Sequence, residues 1–226
     1  MSITLLRLGR LEESIEAFSA TTEEPQATAA DHPSVADQYL HLAGDYDTNT
    51  LHRHAVGVMS DLITNACADG GPRRLLDCGC GTGLLGTVMR DRVERLVGID
   101  LSGAMVERAK ARGIYDALEV GDMVSGMNAR DETFDAVVCN FAIYHLADLA
   151  PFFRAAARLL DAGGKLAISC DPCTDDHDIR QNAPNEYTHS RAYLARTAAV
   201  AGLAVETMRI MAHRAYPGFW CVFAKP

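Results

Sequence analysis

The sequence feature that most constrains the fold is a glycine-rich segment, Leu75-Leu76-Asp77-Cys78-Gly79-Cys80-Gly81-Thr82-Gly83. It follows a short apolar run and precedes a helical pattern, so it predicts a strand, a tight turn and a helix in succession. Three glycines permit positive φ angles and a close approach of the backbone to a ligand. Free backbone N–H groups at the start of the helix then face whatever binds there. The segment therefore predicts a ligand-binding turn at the end of a buried strand.

From residue 73 onward, apolar strand patterns alternate with helical patterns. The alternation predicts an α/β fold whose mostly parallel sheet is covered by helices on both faces. The turn at Pro217-Gly218 is too short for a crossover helix, so the last two strands are expected to be antiparallel to each other. Strands are predicted over residues 74–78, 95–100, 118–121, 134–140, 165–170, 203–214 and 218–224. Helices are predicted over residues 1–20, 84–92, 148–160 and 188–201, and from Ser102 as N-cap to Arg112 with Gly113 as the stop. A further helical pattern over 34–66 is broken near residues 44–47.

Length and charge limit the classes of protein to which this chain can belong. With 226 residues, it is long enough for one large domain with a full core. Its net charge is −9, with 21 basic against 30 acidic residues, which disfavours nucleic acid as a partner. No apolar run reaches the roughly 20 residues of a membrane span. The first ten residues lack the features of a signal peptide, so we expect a cytoplasmic protein without membrane contact.

The seven cysteines show no disulfide-rich spacing, so we interpret them as mostly reduced core thiols. Cys170-x-x-Cys173 together with His177 resembles part of a zinc site. A structural zinc site requires four ligands, however, and the chain has only this one Cys-x-x-Cys pair. We therefore expect no bound metal.

Two acidic positions follow the glycine-rich segment at strand ends. Asp100 ends the second predicted strand, where a carboxylate can accept both hydrogen bonds from a ribose diol. Asp122 and Met123 follow the third strand, where a carboxylate and a backbone N–H can recognise an amine and a ring nitrogen. The usual dinucleotide fingerprint requires a third glycine where this chain has Leu84, so an NAD-binding interpretation is disfavoured.

These features resemble the class I S-adenosylmethionine-dependent methyltransferases, strongly over residues 73–170 and more weakly over 184–226. The weaker part is similar to a bacterial subgroup with repeat-like N-termini. One departure is Cys78, since the family usually has Val, Leu or Ile there. The matching segments are residues 75–83, Asp100, Asp122-Met123, Asn140-Phe141-Ala142 and residues 160–166.

The resemblance implies a Rossmann-like fold, a cofactor and a set of binding residues. The implied sheet has seven strands in the order 3-2-1-4-5-7-6, with the last strand antiparallel. A helical lid is expected over residues 1–70 and the catalytic domain over 71–226. The implied cofactor is S-adenosylmethionine, with S-adenosylhomocysteine as product. The implied cofactor-binding residues are Asp77, Gly79, Cys80, Gly81, Gly83, Asp100, Leu101, Asp122, Met123, Asn140, Phe141 and, from the lid, Tyr39 and Tyr46.

Candidates for a general base lie beyond the fourth and fifth strands. Tyr144 and His145 are the first candidates for catalytic residues, with His145 as the base, because an imidazole accepts protons near neutral pH. Asp171, His177 and His189 are weaker candidates. The alternative for His145 is a packing or capping role in the next helix.

The acceptor of the methyl group is expected to be a small metabolite with an O or N nucleophile. The fourth strand ends in Asn140-Phe141-Ala142-Ile143, without the Pro-Pro-Tyr signature of enzymes that methylate amino groups of DNA bases. Two alternatives stay open: a protein or RNA methyltransferase that acts with a partner, and a cofactor-binding protein that does not methylate. The first alternative rests on residues 8–18, which resemble one helix of a tetratricopeptide repeat. A monomer or a homodimer is expected.

Overall fold

A seven-stranded sheet forms the centre of the computed structural model, which describes residues 2–26, 34–42 and 46–226. A second sheet of three short strands lies beside it, and the sequence patterns had not predicted this second sheet. The strands are β1 (Arg74–Cys78), β2 (Arg95–Asp100), β3 (Ala117–Val120), β4 (Phe134–Cys139), β5 (Leu160–Cys170), β6 (Pro172–Cys173), β7 (Ile179–Ala183), β8 (Glu186–Ser190), β9 (Ala204–His213) and β10 (Tyr216–Ala224).

The central sheet has the order β3-β2-β1-β4-β5-β10-β9. Neighbours among β1 to β5 are parallel, whereas β10 is antiparallel to both β5 and β9. Counted within this sheet alone, the order is 3-2-1-4-5-7-6 with an antiparallel last strand, so the predicted fold class is confirmed. Because β1, β2 and β4 are parallel neighbours, their carboxyl ends meet at one edge, where the glycine-rich turn begins.

Helices pack on both faces of the central sheet. In β4, Val137 and Cys139 belong to one buried cluster and Ala136 and Val138 to the other. Both faces of this strand are therefore buried from solvent, as expected for a strand of a parallel sheet. The helices are α1 (Ser2–Arg7), α2 (Leu11–Ser19), α3 (Val35–Leu42), α4 (Thr50–Ala66), α5 (Leu84–Met89), α6 (Gly103–Arg112), α7 (Met123–Asn128), α8 (Ala150–Leu159) and α9 (Arg191–Val200).

Two helix predictions were wrong in their bounds. The helix predicted over 1–20 is two helices, because the chain turns at Gly9, whose φ is +74°. The helix predicted from residue 188 begins at Arg191. Thr188 pairs instead within β8, and the hydroxyl of Ser190 accepts the Tyr193 N–H as an N-cap. The predicted start of α6 at the Ser102 cap and its end at a left-handed Gly113 are confirmed.

The segments before residue 70 pack at different places. Helix α2 lies against β6 and β10, and the ring of Phe18 is 4.8 Å from that of Tyr216. Helix α3 contacts α6, and α4 contacts α5. Within the segment predicted as a lid (residues 1–70), α3 and the start of α4 therefore lie near the glycine-rich turn, whereas α2 does not. A domain boundary at residue 70 stays a prediction. In the ranges that the structure describes, every helix is too short or too polar to cross a membrane.

Candidate functional site

The glycine-rich turn after β1 adopts a backbone that side chains disfavour. Gly79, Gly81 and Gly83 have φ of +73°, +54° and +85°. The N–H groups of Gly79 and Cys80 both donate to the carbonyl of Ile99 in β2, at 2.7 and 3.0 Å. A Cβ on Gly79 would lie 2.3 Å from the Cβ of Ala142, whereas a Cβ on Gly81 would meet no atom within 4 Å. Gly79 thus packs against the end of β4, and Gly81 borders open space.

Asp100 lies at the end of β2, beside this turn. One carboxylate oxygen accepts the Gly81 N–H at 2.7 Å and the other accepts the Ser102 N–H at 2.8 Å. Burial raises the pKa of Asp100 above its ordinary value, and the two N–H groups offset part of that effect. Each oxygen keeps a further lone pair for a ligand hydroxyl. The turn therefore orients this carboxylate for a diol.

Asp77, at the C-terminal end of β1, is almost completely buried. It accepts a hydrogen bond of 2.7 Å from the hydroxyl of Tyr115. Burial raises its pKa to about 7; the Tyr115 hydroxyl opposes this effect and the charge of Asp100 adds to it. Tyr115 also fills the space beside Gly86, where a Cβ would come within 2.6 Å of its hydroxyl oxygen. No sequence pattern indicated Tyr115, because it lies outside every motif.

Asp122 begins α7, a helix that the sequence patterns had not predicted. One of its carboxylate oxygens accepts the Ser125 N–H at 2.8 Å, so Asp122 is the N-cap. The side chain is exposed and still borders the cavity described next, together with Met123.

A cavity of two adjoining lobes opens at the carboxyl ends of β1, β2 and β4. The larger lobe, which is partly open to solvent, contains about 730 Å³ of empty space. Twelve of the thirteen predicted cofactor-binding residues border one lobe or both, and Gly83 is the exception. Among the lining residues that the structure describes, none is Lys or Arg. The larger lobe is bordered by Val35, Ala36, Tyr39, Tyr46, Gly79, Gly81, Asp100, Leu101, Ser102, Met105, Asp122, Met123, Phe141, Ala142, His145 and Leu146. The smaller is bordered by Tyr46, His52, Val56, Asp77, Gly79, Cys80, Gly81, Thr82, Leu84, Leu85, Asn140 and Phe141.

His145 borders the larger lobe and is held in one orientation. Its Nδ1 lies 2.8 Å from the carbonyl oxygen of Asn185, so Nδ1 carries the proton and Nε2 is an acceptor. The hydroxyl of Tyr39 lies 3.1 Å from Nε2 and 3.2 Å from the hydroxyl of Tyr144. Burial lowers the pKa of His145, and the Asn185 carbonyl and the charge of Glu186 partly offset that effect. His145 is therefore a neutral proton acceptor in the lining of the cavity. The ring of Tyr144 packs against its imidazole.

Asp171 lies outside the cavity lining, in the buried core. Both of its oxygens are occupied: one by Nδ1 of His213 at 2.7 Å and the other by the guanidinium of Arg214. Burial alone would raise its pKa, but the hydrogen bond from His213 and the positive charge of Arg214 outweigh burial and lower it. This position does not fit the direct role at the acceptor that the sequence suggested for Asp171.

A short turn before α4 is tied to the glycine-rich turn. Asp47 accepts from the hydroxyl of Thr82 and from Arg112, whose Nε also donates to the Thr82 carbonyl at 2.6 Å. His52 borders the smaller lobe, and its Nδ1 is 3.1 Å from the Tyr46 carbonyl. Sequence reasoning missed His52, since a histidine on a predicted helix gives no signal of which side faces a ligand.

The weaker histidine candidates lie away from the cavity. His189 is completely buried, which lowers its pKa to about 4, and its Nε2 contacts the Ala147 carbonyl. His177 faces Glu24 and Asp176. Across the described part of the chain, no three His, Cys, Asp or Glu side chains are grouped as a metal site would require.

Residues 76–168, which include the glycine-rich turn and Asp100, match the methyltransferase domain family. This segment of the chain is a methyltransferase domain. Among curated relatives, the ubiquinone biosynthesis O-methyltransferase of Xanthomonas oryzae pv. oryzae is 34% identical over 145 residues, 61% of each chain. The malonyl-[acyl-carrier protein] O-methyltransferase of Hahella chejuensis is 30% identical over 69% of this chain and 57% of that protein.

Solved structures show the same fold. The magnesium protoporphyrin IX methyltransferase of Synechocystis PCC 6803 superposes with a TM-score of 0.62 at 16% identity, over 88% of this chain and 90% of that chain. The chain spans about three-fifths of the length of the curated relatives named above.

Proposed function

We propose that this protein transfers a methyl group from S-adenosylmethionine to a neutral hydroxyl group of a small molecule. The observation that carries the proposal is His145, which borders the same cavity as Asp100 and the glycine-rich turn and whose Nδ1 is hydrogen-bonded to the Asn185 carbonyl, so that Nε2 is the acceptor nitrogen. When bound, S-adenosylmethionine would supply a methyl group activated on its sulfonium centre and, once the methyl carbon–sulfur bond breaks, would leave as S-adenosylhomocysteine.

The residues of the cavity fit this cofactor. Asp100 has two oxygens available to a ribose diol, and the glycine at position 81 leaves open the space that a Cβ would fill. Asp122 and Met123 suit the adenine end. Asn140 borders the smaller lobe, which suits the methionine end. The fit supports the cofactor assignment that the resemblance implied.

His145 takes the proton that the acceptor hydroxyl loses. Its Nε2 lone pair now receives the Tyr39 hydroxyl, and an acceptor hydroxyl would take that position. As the acceptor oxygen gains the methyl group, its O–H bond breaks and the proton binds Nε2. Nδ1 stays bonded to the Asn185 carbonyl, which stabilises the resulting imidazolium. Tyr39, displaced from Nε2, still contacts Tyr144.

The charge of the cavity favours a hydroxyl over a carboxylate as acceptor. Among the described lining residues, Asp77, Asp100 and Asp122 are acidic and none is Lys or Arg. A carboxylate bound there would lose part of its hydration beside these acidic side chains, and its cationic partner would be the sulfonium of the cofactor rather than a side chain of the lining. The curated relatives named above are O-methyltransferases, and the lining of this cavity supports an uncharged hydroxyl as the oxygen nucleophile.

The cofactor assignment predicts that S-adenosylhomocysteine raises the melting temperature, because a ligand that binds only the folded state stabilises it. Asp100→Ala should weaken this binding by about 1–3 kcal/mol, roughly 5- to 150-fold. The matched control is Asp116→Ala, since Asp116 also accepts a backbone N–H but lies outside the cavity. Titration calorimetry measures both affinities. Equal affinities in the two variants would refute the ribose role of Asp100.

The acceptor class predicts which compounds receive the methyl group. Incubated with methyl-labelled cofactor, uncharged phenols and other hydroxyl compounds from a metabolite extract should become labelled ethers, whereas carboxylic acids should not become methyl esters. Mass spectrometry identifies the labelled products. Ester formation without ether formation would contradict the acceptor class while leaving the cofactor assignment intact.

A further inference from the structure

Asp171 sits at the centre of a buried polar network behind the cavity. Asp171, His213 and Ser169 have no solvent exposure. One oxygen of Asp171 meets Nδ1 of His213 and the other meets the guanidinium of Arg214. A buried carboxylate is tolerated only with such partners, so the network holds His213 and Arg214 in place.

His213 connects Asp171 to the turn after β4 (Asn140-Phe141), which borders the smaller lobe of the cavity. This connection is the His213 branch of the network. Nε2 of His213 lies 3.2 Å from the hydroxyl of Ser169. That hydroxyl donates to the side-chain oxygen of Asn140 at 2.9 Å and accepts the Phe141 N–H at 3.1 Å. Phe141 has a φ of +58°, which is unfavourable for a bulky residue and persists only where neighbours impose it. Its ring also packs edge-on against His213, with centroids 4.3 Å apart.

Gly218 makes room for this branch. A Cβ at position 218 would lie 2.1 Å from the Cβ of His213. The glycine therefore allows the imidazole to lie between Asp171 and Ser169.

Arg214 connects Asp171 to the side of the cavity that contains His145. This connection is the Arg214 branch of the network. The guanidinium of Arg214 donates to both oxygens of Glu186 and lies 4.2 Å from the centroid of the Tyr144 ring. Glu186 follows Asn185, which has a φ of +59° at the tip of the β7–β8 hairpin. The Asn185 carbonyl is the group that fixes the proton on Nδ1 of His145.

We propose that Asp171 is a positioning residue that joins the cofactor turn at Asn140-Phe141 to the hairpin tip at Asn185. The turn is reached through His213 and the hairpin through Arg214. The inference rests on the proposed function, because it assigns the network to the cofactor lobe and to the base. Asp171 contacts neither the cofactor nor the acceptor. It fixes the position of the turn at Asn140-Phe141 relative to the hairpin tip at Asn185.

The test combines two readouts that need no acceptor. Calorimetry with S-adenosylhomocysteine reports on the cofactor turn, and nitrogen-15 NMR of His145 reports which ring nitrogen carries the proton. Asp171→Asn should lower the affinity about tenfold, which corresponds to about 1.4 kcal/mol, and should give a mixture of His145 tautomers. Either readout changing alone, or neither changing, would overturn the proposed coupling.

Two further variants separate the branches and keep the test valid if Asp171→Asn does not fold. Ser169→Ala should lower the affinity for S-adenosylhomocysteine about tenfold without changing the His145 tautomer. Glu186→Gln should change the His145 tautomer without changing that affinity. Ser60→Ala is the control, because it also removes a fully buried hydroxyl but outside the network. It should lower the melting temperature comparably to Ser169→Ala and leave both readouts unchanged.

The same experiment distinguishes failure of the proposed function from failure of the coupling. If the unmodified protein does not bind S-adenosylhomocysteine, the proposed function fails, and the tautomer of His145 still tests the Arg214 branch. If it binds and both branch variants behave like Ser60→Ala, the coupling fails and the function stands.

Discussion

Replacing His145 with alanine is expected to lower turnover about 10²- to 10⁴-fold, the usual contribution of a general base, while leaving the affinity for S-adenosylhomocysteine nearly unchanged. The reason is geometric: His145 borders the larger lobe of the cavity, and the Asn185 carbonyl holds the proton on Nδ1, which leaves Nε2 as the proton acceptor. Initial rates with a labelled hydroxyl acceptor measure the first quantity and calorimetry the second. His177→Ala is the control, since that histidine lies outside the cavity.

The pH profile provides an independent check of the same role. A base works only when unprotonated, and burial lowers the pKa of His145 below its ordinary value of 6.5. Turnover should therefore stay constant as pH falls to that value and decline only at lower pH. The His145→Ala variant should lose this acidic limb. Full turnover in the variant, or an acidic limb that survives the substitution, would rule out His145 as the base.

Gly79→Ala is expected to produce the second large effect, a loss of stability of about 2–5 kcal/mol together with at least tenfold weaker cofactor binding. A left-handed backbone costs a residue with a Cβ about 1–2 kcal/mol, and overpacking adds about 1–3 kcal/mol. The new methyl group would lie 2.3 Å from the Cβ of Ala142. To relieve that contact, the turn must move away from β4 and from its hydrogen bond to Ile99.

Gly163→Ala is the matched control for this substitution. Its φ of +78° is close to the +73° of Gly79, yet a Cβ there would meet no atom within 4 Å. It should therefore cost only the backbone strain and leave cofactor affinity unchanged. Chemical denaturation and calorimetry measure the two effects. Equal losses in both variants would show that backbone conformation, rather than the packing of Gly79 on Ala142, explains the glycine.

Much of the fold followed from short-range features of the sequence. The bounds of β1 and β2 were as predicted, because their apolar runs end directly at the glycine-rich turn and at Asp100. Ser102 and Gly113 determined the start and end of α6 through local hydrogen bonding and a left-handed residue. The start of α9 was wrong, since Thr188 pairs with Arg180 of β7 in a sheet that no local pattern indicated.

Some features of the site could likewise be predicted from local sequence, and others depend on tertiary contacts. Asp77, Gly79, Gly81 and Asp100 could be predicted because a turn, a strand end and a fixed spacing bring them together within one β-α-β unit. His145 was found as a candidate, but its tautomer depends on a carbonyl forty residues away in the chain.

By itself, the sequence determined the strand–turn–helix that forms the cofactor turn, since that geometry arises from neighbouring residues and from glycine's lack of a Cβ. Only the tertiary structure decided what Asp171 does. Its partners His213 and Arg214 lie 42 and 43 residues away in the chain. They reach it because β10 inserts antiparallel between β5 and β9. A carboxylate that looks like a catalytic candidate in the sequence is thereby buried behind the cavity, where its charge organises the site from within the core.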